Sequence, residues 1–136
     1  MKIKNFKFKK KYGQNFLIDS NITNKIANVI KDKANSLVIE IGCGDGRLTK
    51  QLCTYYDKVL CYEIDEEVIP YLKDNLKEYN NYNVILGDFL KRDVNLDIKL
   101  FKYDKLYVVA NLPYYITTPI IEKIINTACL RTSIVK

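Results

Sequence analysis

Leu37-Val-Ile-Glu-Ile-Gly-Cys-Gly-Asp-Gly46 decides how the whole chain is read. A short apolar run ends in a glycine-rich turn, the pattern of a buried strand entering a tight loop. Working outward, Arg47 to about Tyr56 has helical spacing with Leu48 and Leu52 inward. Lys58-Val-Leu-Cys-Tyr-Glu-Ile-Asp65 reads as a second strand, and Asp65 then caps a helix running to about Tyr79. Pro70 lies early in that helix, where it either starts the regular part or kinks it slightly. Asn83-Val-Ile-Leu-Gly-Asp88 is a third strand, followed by a longer polar connection. Leu106-Tyr-Val-Val-Ala110 is a fourth, running into Asn-Leu-Pro-Tyr-Tyr115. A last helix spans about Thr118 to Ala128, with Pro119 in its first turn. Upstream of the opening strand, Asp19 to about Ala34 puts Ile22, Ile26, Val29 and Ile30 on one helical face, with Asp19 or Ser20 as N-cap.

Strands alternating with helices imply βαβ units with right-handed crossovers, hence an α/β fold with a doubly wound, mostly parallel sheet. Ligands of such sheets bind beyond the carboxyl ends of the strands, where the strand order reverses. The polar residues of interest fall there: Gly42 to Gly46, Glu63 and Asp65, Asp88, and Asn111. A solvated loop face would also be polar, but it would not place a carboxylate or amide at every strand end.

The 136 residues include no histidine, which excludes much chemistry. Ser-His-Asp and Cys-His nucleophile systems, His-ligated zinc or iron, and imidazole acid/base catalysis are all ruled out for this chain. The four cysteines (Cys43, Cys53, Cys61, Cys129) form no CxxC pair and read as small buried hydrophobes of a reducing compartment. No apolar run approaches the roughly 20 residues of a transmembrane helix. The N-terminus lacks the apolar core of a signal peptide, so a cytoplasmic location without membrane attachment is expected. Residues 1–11 hold six lysines and no acid, and the sixteen other Lys and Arg balance the sixteen acids. The whole net charge of +6 therefore lies in a basic tail. With Phe6, Phe8 and Tyr12 interleaved, that tail either grips a phosphate backbone or keeps the protein soluble.

The glycine turn discriminates among nucleotide-like ligands. A dinucleotide fingerprint needs a third glycine where Arg47 stands, and no G-K-[ST] of a P-loop is present. The pattern is instead E-x-G-x-G-x-G over Glu40 to Gly46, where Glu40 and Asp45 add negative charge that repels a pyrophosphate. Such a site suits S-adenosylmethionine, which carries ammonium and sulfonium cations. Glu63 is placed to accept both hydroxyls of a ribose, and Asp88 a hydrogen bond from an adenine amine. Ile64 with Leu86 or Phe89 would sandwich the ring, while Asp65 is better read as a helix cap.

Asn111-Leu-Pro-Tyr114 carries the most specific chemistry. The exocyclic amine of adenine is a weak nucleophile because its lone pair is delocalised into the ring. The Asn111 side-chain carbonyl and the Leu112 main-chain carbonyl can each accept one N–H, turning that lone pair toward a methyl group. Pro113 keeps Leu112 out of the helical region, and Tyr114 offers a ring face for a base taken out of its helix. No histidine and no metal is required.

Together these motifs resemble one family, the ribosomal RNA adenine N6,N6-dimethyltransferases. The resemblance rests on Tyr12-Gly-Gln-Asn-Phe-Leu17, Glu40 to Gly46, Tyr62-Glu-Ile-Asp65, Gly87-Asp-Phe-Leu90 and Asn111-Leu-Pro-Tyr-Tyr-Ile-Thr-Thr-Pro119. It implies a Rossmann-like S-adenosylmethionine-dependent methyltransferase fold, with S-adenosylhomocysteine as the other product. By resemblance, Asn15 and Leu17 lie against the methionine end of the cofactor and Gly42 lines its floor. Glu63 takes the ribose, Asp88 the adenine amine, and Asn111 sits between cofactor and target. The implied reaction methylates N6 of two neighbouring adenines near the 3′ end of small-subunit rRNA, in immature small ribosomal subunits, by a monomeric enzyme.

Family members continue well beyond the length of this chain, with further strands and a small helical rRNA-binding domain. Residues 12–136 are therefore expected to form a partial methyltransferase domain, incomplete in its C-terminal half, whose fourth strand is left with an unpaired edge. Two other readings stay open: an inactive fragment that binds RNA or cofactor, and a methyltransferase acting on another adenine substrate.

Overall fold

Ser36–Ile41 forms β1 at the centre of a computed structural model that describes residues 35–110, 114–126 and 134–135. All six residues of β1 are buried, as a near-continuous apolar strand covered on both faces must be. The chain then forms α1 (Arg47–Tyr55), β2 (Lys58–Glu63), a 3₁₀ turn (Glu66–Val68) and α2 (Ile69–Asn75). β3 (Tyr82–Leu86), a second 3₁₀ turn (Phe89–Lys91), α3 (Val94–Ile98), β4 (Lys105–Ala110), α4 (Tyr114–Asn126) and β5 (Ile134–Val135) follow.

The strands lie in the order β3-β2-β1-β4-β5, and every neighbouring pair is parallel. From β1 the chain winds outward through β2 to β3, then crosses back to lay β4 on the other side of β1. The strand order thus reverses between β1 and β4, whose last residues, Ile41 and Ala110, are in register.

Alternation along the strands divides the core into two layers. Leu37, Ile39, Ile41, Leu60, Tyr62, Leu106, Val108 and Ala110 face one way, against Phe89, Val94 and Ile98 and against Ile120 and Ile124 of α4. Val38, Val59, Cys61 and Val109 face the other way, against Leu48 and Leu52 of α1 and Leu72 and Leu76 around α2. Cys43, Cys53 and Cys61 are buried free thiols, while Cys129 lies outside the described residues. Among the described residues, no helix is long and apolar enough to cross a membrane.

Three elements depart from expectation. The helix expected from Asp65 to about Tyr79 opens as a 3₁₀ turn, and its α-helical part ends at Asn75. Pro70 falls in the first turn of α2, where its missing N–H costs nothing, so it starts the regular helix and does not kink it. The last helix begins at Tyr114, earlier than expected, which puts Pro119 inside it. Pro119 is exposed, so its ring stands on the solvent side of the helix and not against the core. Finally, the outer edge of β4 is not bare: β5 pairs with it through Val108↔Ile134 and Val109↔Val135. The expected helix over 19–34 and the basic tail lie outside the described residues.

Candidate functional site

Gly42 leaves β1 with φ +76°, a backbone conformation that residues with a Cβ rarely adopt. Its amide donates to the carbonyl of Tyr62 at 2.8 Å, which ties the turn to the end of β2. Among the described residues, no atom beyond its two chain neighbours lies within 4 Å of where a Cβ on Gly42 would sit, so none of them covers the backbone of the turn there. At the far side of the turn the demand is packing. A Cβ on Gly46 (φ +91°) would stand 2.7 Å from Cδ1 of Leu72, so only glycine lets α1 start against α2.

Glu63 ends β2 and is 4% exposed. One carboxylate oxygen accepts the Gly44 amide at 2.7 Å, and the other accepts the Asp65 amide at 3.0 Å. Burial pushes its pKa up, and these amides oppose that rise. A carboxylate offers about four acceptor positions, so with the Gly44, Asp65 and Ile64 amides bound the group still has room to accept from a ligand hydroxyl. The adjacent strand brings Leu86 opposite Glu63, and the Gly87 amide donates to the Glu63 carbonyl at 2.8 Å. Asp88 follows, its Oδ1 accepting the Leu90 amide at 2.9 Å as the cap of the second 3₁₀ turn. Gly42, Glu63 and Asp88 therefore stand at the carboxyl ends of three adjacent strands.

Asp65 is a cap, as expected, with its side chain accepting the Glu67 amide at 3.0 Å. Ile64 and Leu86 are 45% and 49% exposed, two large apolar side chains left in solvent beside the two acids. Phe89, the alternative to Leu86 for flanking a ring, is not available. It is buried in the core and meets Tyr62 edge-on, with ring centres 5.1 Å apart.

Glu40 corrects the electrostatic reading of the turn. Its side chain lies beneath the turn, fully buried, and accepts hydrogen bonds from the Thr49 hydroxyl and, at 4.0 Å, the Cys61 thiol. Burial pushes its pKa up to about 8, helped by Glu63 and Asp45 and opposed by Thr49. Burial thus favours the neutral form of this group, which makes it a weaker source of negative charge than an exposed carboxylate. The charge at the turn comes instead from Glu63 and Asp45. Asp45 Oδ2 accepts from Arg47 at 3.0 Å, and its buried Oδ1 has no hydrogen-bond partner among the described residues.

Asn15, Leu17, Asn111, Leu112 and Pro113 lie outside the described residues, as does the side chain of Tyr114, whose backbone opens α4. Sequence reasoning missed a second group of residues under the site. Tyr62 donates to Asp97 at 2.8 Å, Arg92 also binds Asp97, and Lys123 reaches back from α4 to the turn after Asp88. No spacing rule announces these pairs, because the partners come from different elements.

The donor set fits an adenosine-bearing ligand: bare backbone at Gly42, a carboxylate at each of two neighbouring strand ends, and an apolar side chain beside each acid. The sequence model of the family described as ribosomal RNA adenine dimethylase matches residues 5–135. Ribosomal RNA small subunit methyltransferase A of Staphylococcus epidermidis is 52% identical over 118 residues, covering 85% of this chain and 40% of that protein. Its namesake in Streptococcus thermophilus is 48% identical over 124 residues, covering 90% of this chain and 43% of that protein. Among solved structures, a dimethyladenosine transferase from Plasmodium falciparum superposes with a TM-score of 0.69 at 35% identity, over 85% of this chain and 40% of that one. The 23S rRNA methyltransferase ErmE superposes with a TM-score of 0.70 at 28% identity, over 84% and 44% of the two chains. These likenesses identify the sheet as a Rossmann-like methyltransferase fold. The chain spans about two-fifths of the length of the curated relatives it matches.

Proposed function

Because the chain belongs to the ribosomal RNA adenine dimethylase family, we propose that it serves transfer of methyl groups from S-adenosylmethionine to N6 of two adjacent adenines near the 3′ end of small-subunit rRNA. The observation that carries this reading is the placement of Gly42, Glu63 and Asp88 at three neighbouring strand ends, beside the point where the strand order reverses.

Gly42 lets the ligand lie against the main chain, and Glu63 accepts from a ribose hydroxyl with the acceptor position left to it. Asp88 accepts the adenine amine with the oxygen not used in capping, while Ile64 and Leu86 close on the ring faces. Asn15 and Leu17, by family resemblance, hold the methionine end. The bound cofactor supplies a methyl group already activated on a sulfonium. The chain's task is then positioning. Asn111 and the Leu112 carbonyl each accept one N–H of the target amine, Pro113 fixes the Leu112 carbonyl, and Tyr114 stacks the flipped base. The immature small ribosomal subunit is the partner, in the cytoplasm, and the enzyme acts as a monomer without a metal.

The test uses the purified chain, small subunits lacking these methyl groups, and radiolabelled S-adenosylmethionine. Dimethyladenosine should appear at two adjacent positions, Asn111→Ala should remove it, and Glu63→Ala should weaken cofactor binding by about tenfold or more. Cofactor binding with no methyl transfer would favour a cofactor-binding fragment. Transfer to free adenine nucleic acid, but not to the subunit, would favour a different adenine substrate.

A further inference from the structure

Lys123 lies on α4, half-buried, and its ammonium donates to the main-chain carbonyls of Phe89 and, at 2.5 Å, Arg92. The same ammonium stands 5.0 Å from the centre of the Phe89 ring. Those carbonyls bracket the 3₁₀ turn that Asp88 opens. Burial pulls the Lys123 pKa down, and Asp88, Asp97 and Asp93 hold it up.

The contacts continue beyond the turn. Arg92 grips Asp97 with Nε at 3.1 Å and Nη2 at 2.5 Å. Asp97 also accepts the Tyr62 hydroxyl at 2.8 Å, and the Tyr62 ring meets Phe89. The path closes on itself: Lys123, Arg92, Asp97, Tyr62, Phe89 and back to Lys123. Tyr62 immediately precedes Glu63, and its carbonyl holds the Gly42 amide. Phe89 immediately follows Asp88. α4 begins directly after Asn111-Leu-Pro113.

We propose that Lys123 is a positioning residue for methyl transfer: from the last turn of α4, the helix that follows Asn111-Leu-Pro113 in the chain, it braces that helix against the turn that carries Asp88, so that the cofactor's adenosine end and the target amine keep one spacing. This rests on the cofactor reading above. A side chain needed only to cover Phe89 would be apolar. Lys123 instead gives up part of its hydration to donate to two carbonyls of one short turn, charge-assisted hydrogen bonds that an apolar side chain could not supply. Alignment of reacting groups is the quantity such a brace protects, since displacements near 1 Å can cost about a hundredfold in rate.

Lys123→Met keeps the contact with Phe89 and removes the donors, whereas Lys123→Arg keeps charge and donors. Calorimetry with S-adenosylhomocysteine is run on the parent chain, both variants, Asp88→Ala and the Lys123→Met/Asp88→Ala double variant, with melting curves alongside. Lys123→Met should weaken binding about tenfold and Lys123→Arg should restore it to within about threefold. In the Asp88→Ala background, Lys123→Met should cost no further affinity, because the residue acts through that turn. Equal binding by parent and Lys123→Met overturns the brace alone, as does a loss that persists in full when Asp88 is absent. A parent chain that binds no S-adenosylhomocysteine overturns the cofactor reading and this role with it. If Lys123→Met fails to fold, Tyr62→Phe, which removes only the hydroxyl held by Asp97, replaces it in the same cycle with the same two overturning results.

Discussion

Glu40 shows how burial changes what a residue type means. A carboxyl removed from water on all sides favours its neutral form, and a protonated acid under the glycine turn can donate as well as accept. The folded state holds this proton up to about pH 8, whereas an unfolded chain releases it near 4.5. Between those values the folded state binds more protons than the unfolded one, so stability falls as pH rises. This contribution is complete below about 4.5 and gone above about 8. Glu63, whose pKa is also raised, acts in the same direction. Glu40→Gln should therefore flatten the decline of the melting temperature between pH 5 and 9, with a gain over the parent at the alkaline end on the order of a few kcal/mol. Identical slopes for parent and variant would show that Glu40 is already ionised at low pH. The acid at position 40 was legible in the sequence, but its charge state was not, since that depends first on burial beneath the turn and then on Thr49, Glu63 and Asp45 around it.

At the scale of elements, the contact of α1 with α2 turns on one absent side chain. Gly46 combines a left-handed backbone with a hydrogen in the place where a methyl group would press on Leu72 and Leu76. Gly46→Ala should destabilise the chain by roughly 1–3 kcal/mol, read from thermal or urea unfolding. An unchanged midpoint would mean the two helices can part at no cost. β1 to β4 are legible in the sequence to within a residue or two as apolar runs, although β3 is only partly buried, whereas the two-residue β5 carries no signal of its own. The short helices were harder. Asp88 and Asp93 each cap a brief turn within what reads as one polar connection, and a five-residue helix such as α3 has too few turns to show a period. The early start of α4 was hidden by its proline, which signals a first turn but here sits on an exposed face within the helix.

Along the chain, the net charge and the strand-end acids fall in different segments. The sixteen basic residues outside the first eleven positions are matched by sixteen acids, so long-range attraction for a polyanion rests on the six lysines of the tail. Deleting residues 1–11 should reduce the salt dependence of RNA binding, lowering the slope of log K against log salt by up to about four for single-stranded RNA. A slope that does not change would assign the phosphate contacts to residues after position 11. Cofactor affinity, which depends on strand ends, should stay the same. The sequence by itself determined the parallel α/β architecture, the glycine turn and the acids that end β2 and β3, because these follow from local periodicity and from backbone demands that few residue types meet. Tertiary structure alone decided that Glu40 is a buried acid whose neutral form is favoured, that Phe89 belongs to the core, and that Lys123 braces the turn after Asp88. Each of these depends on which distant side chains share a low-dielectric space, and no spacing along the chain encodes that.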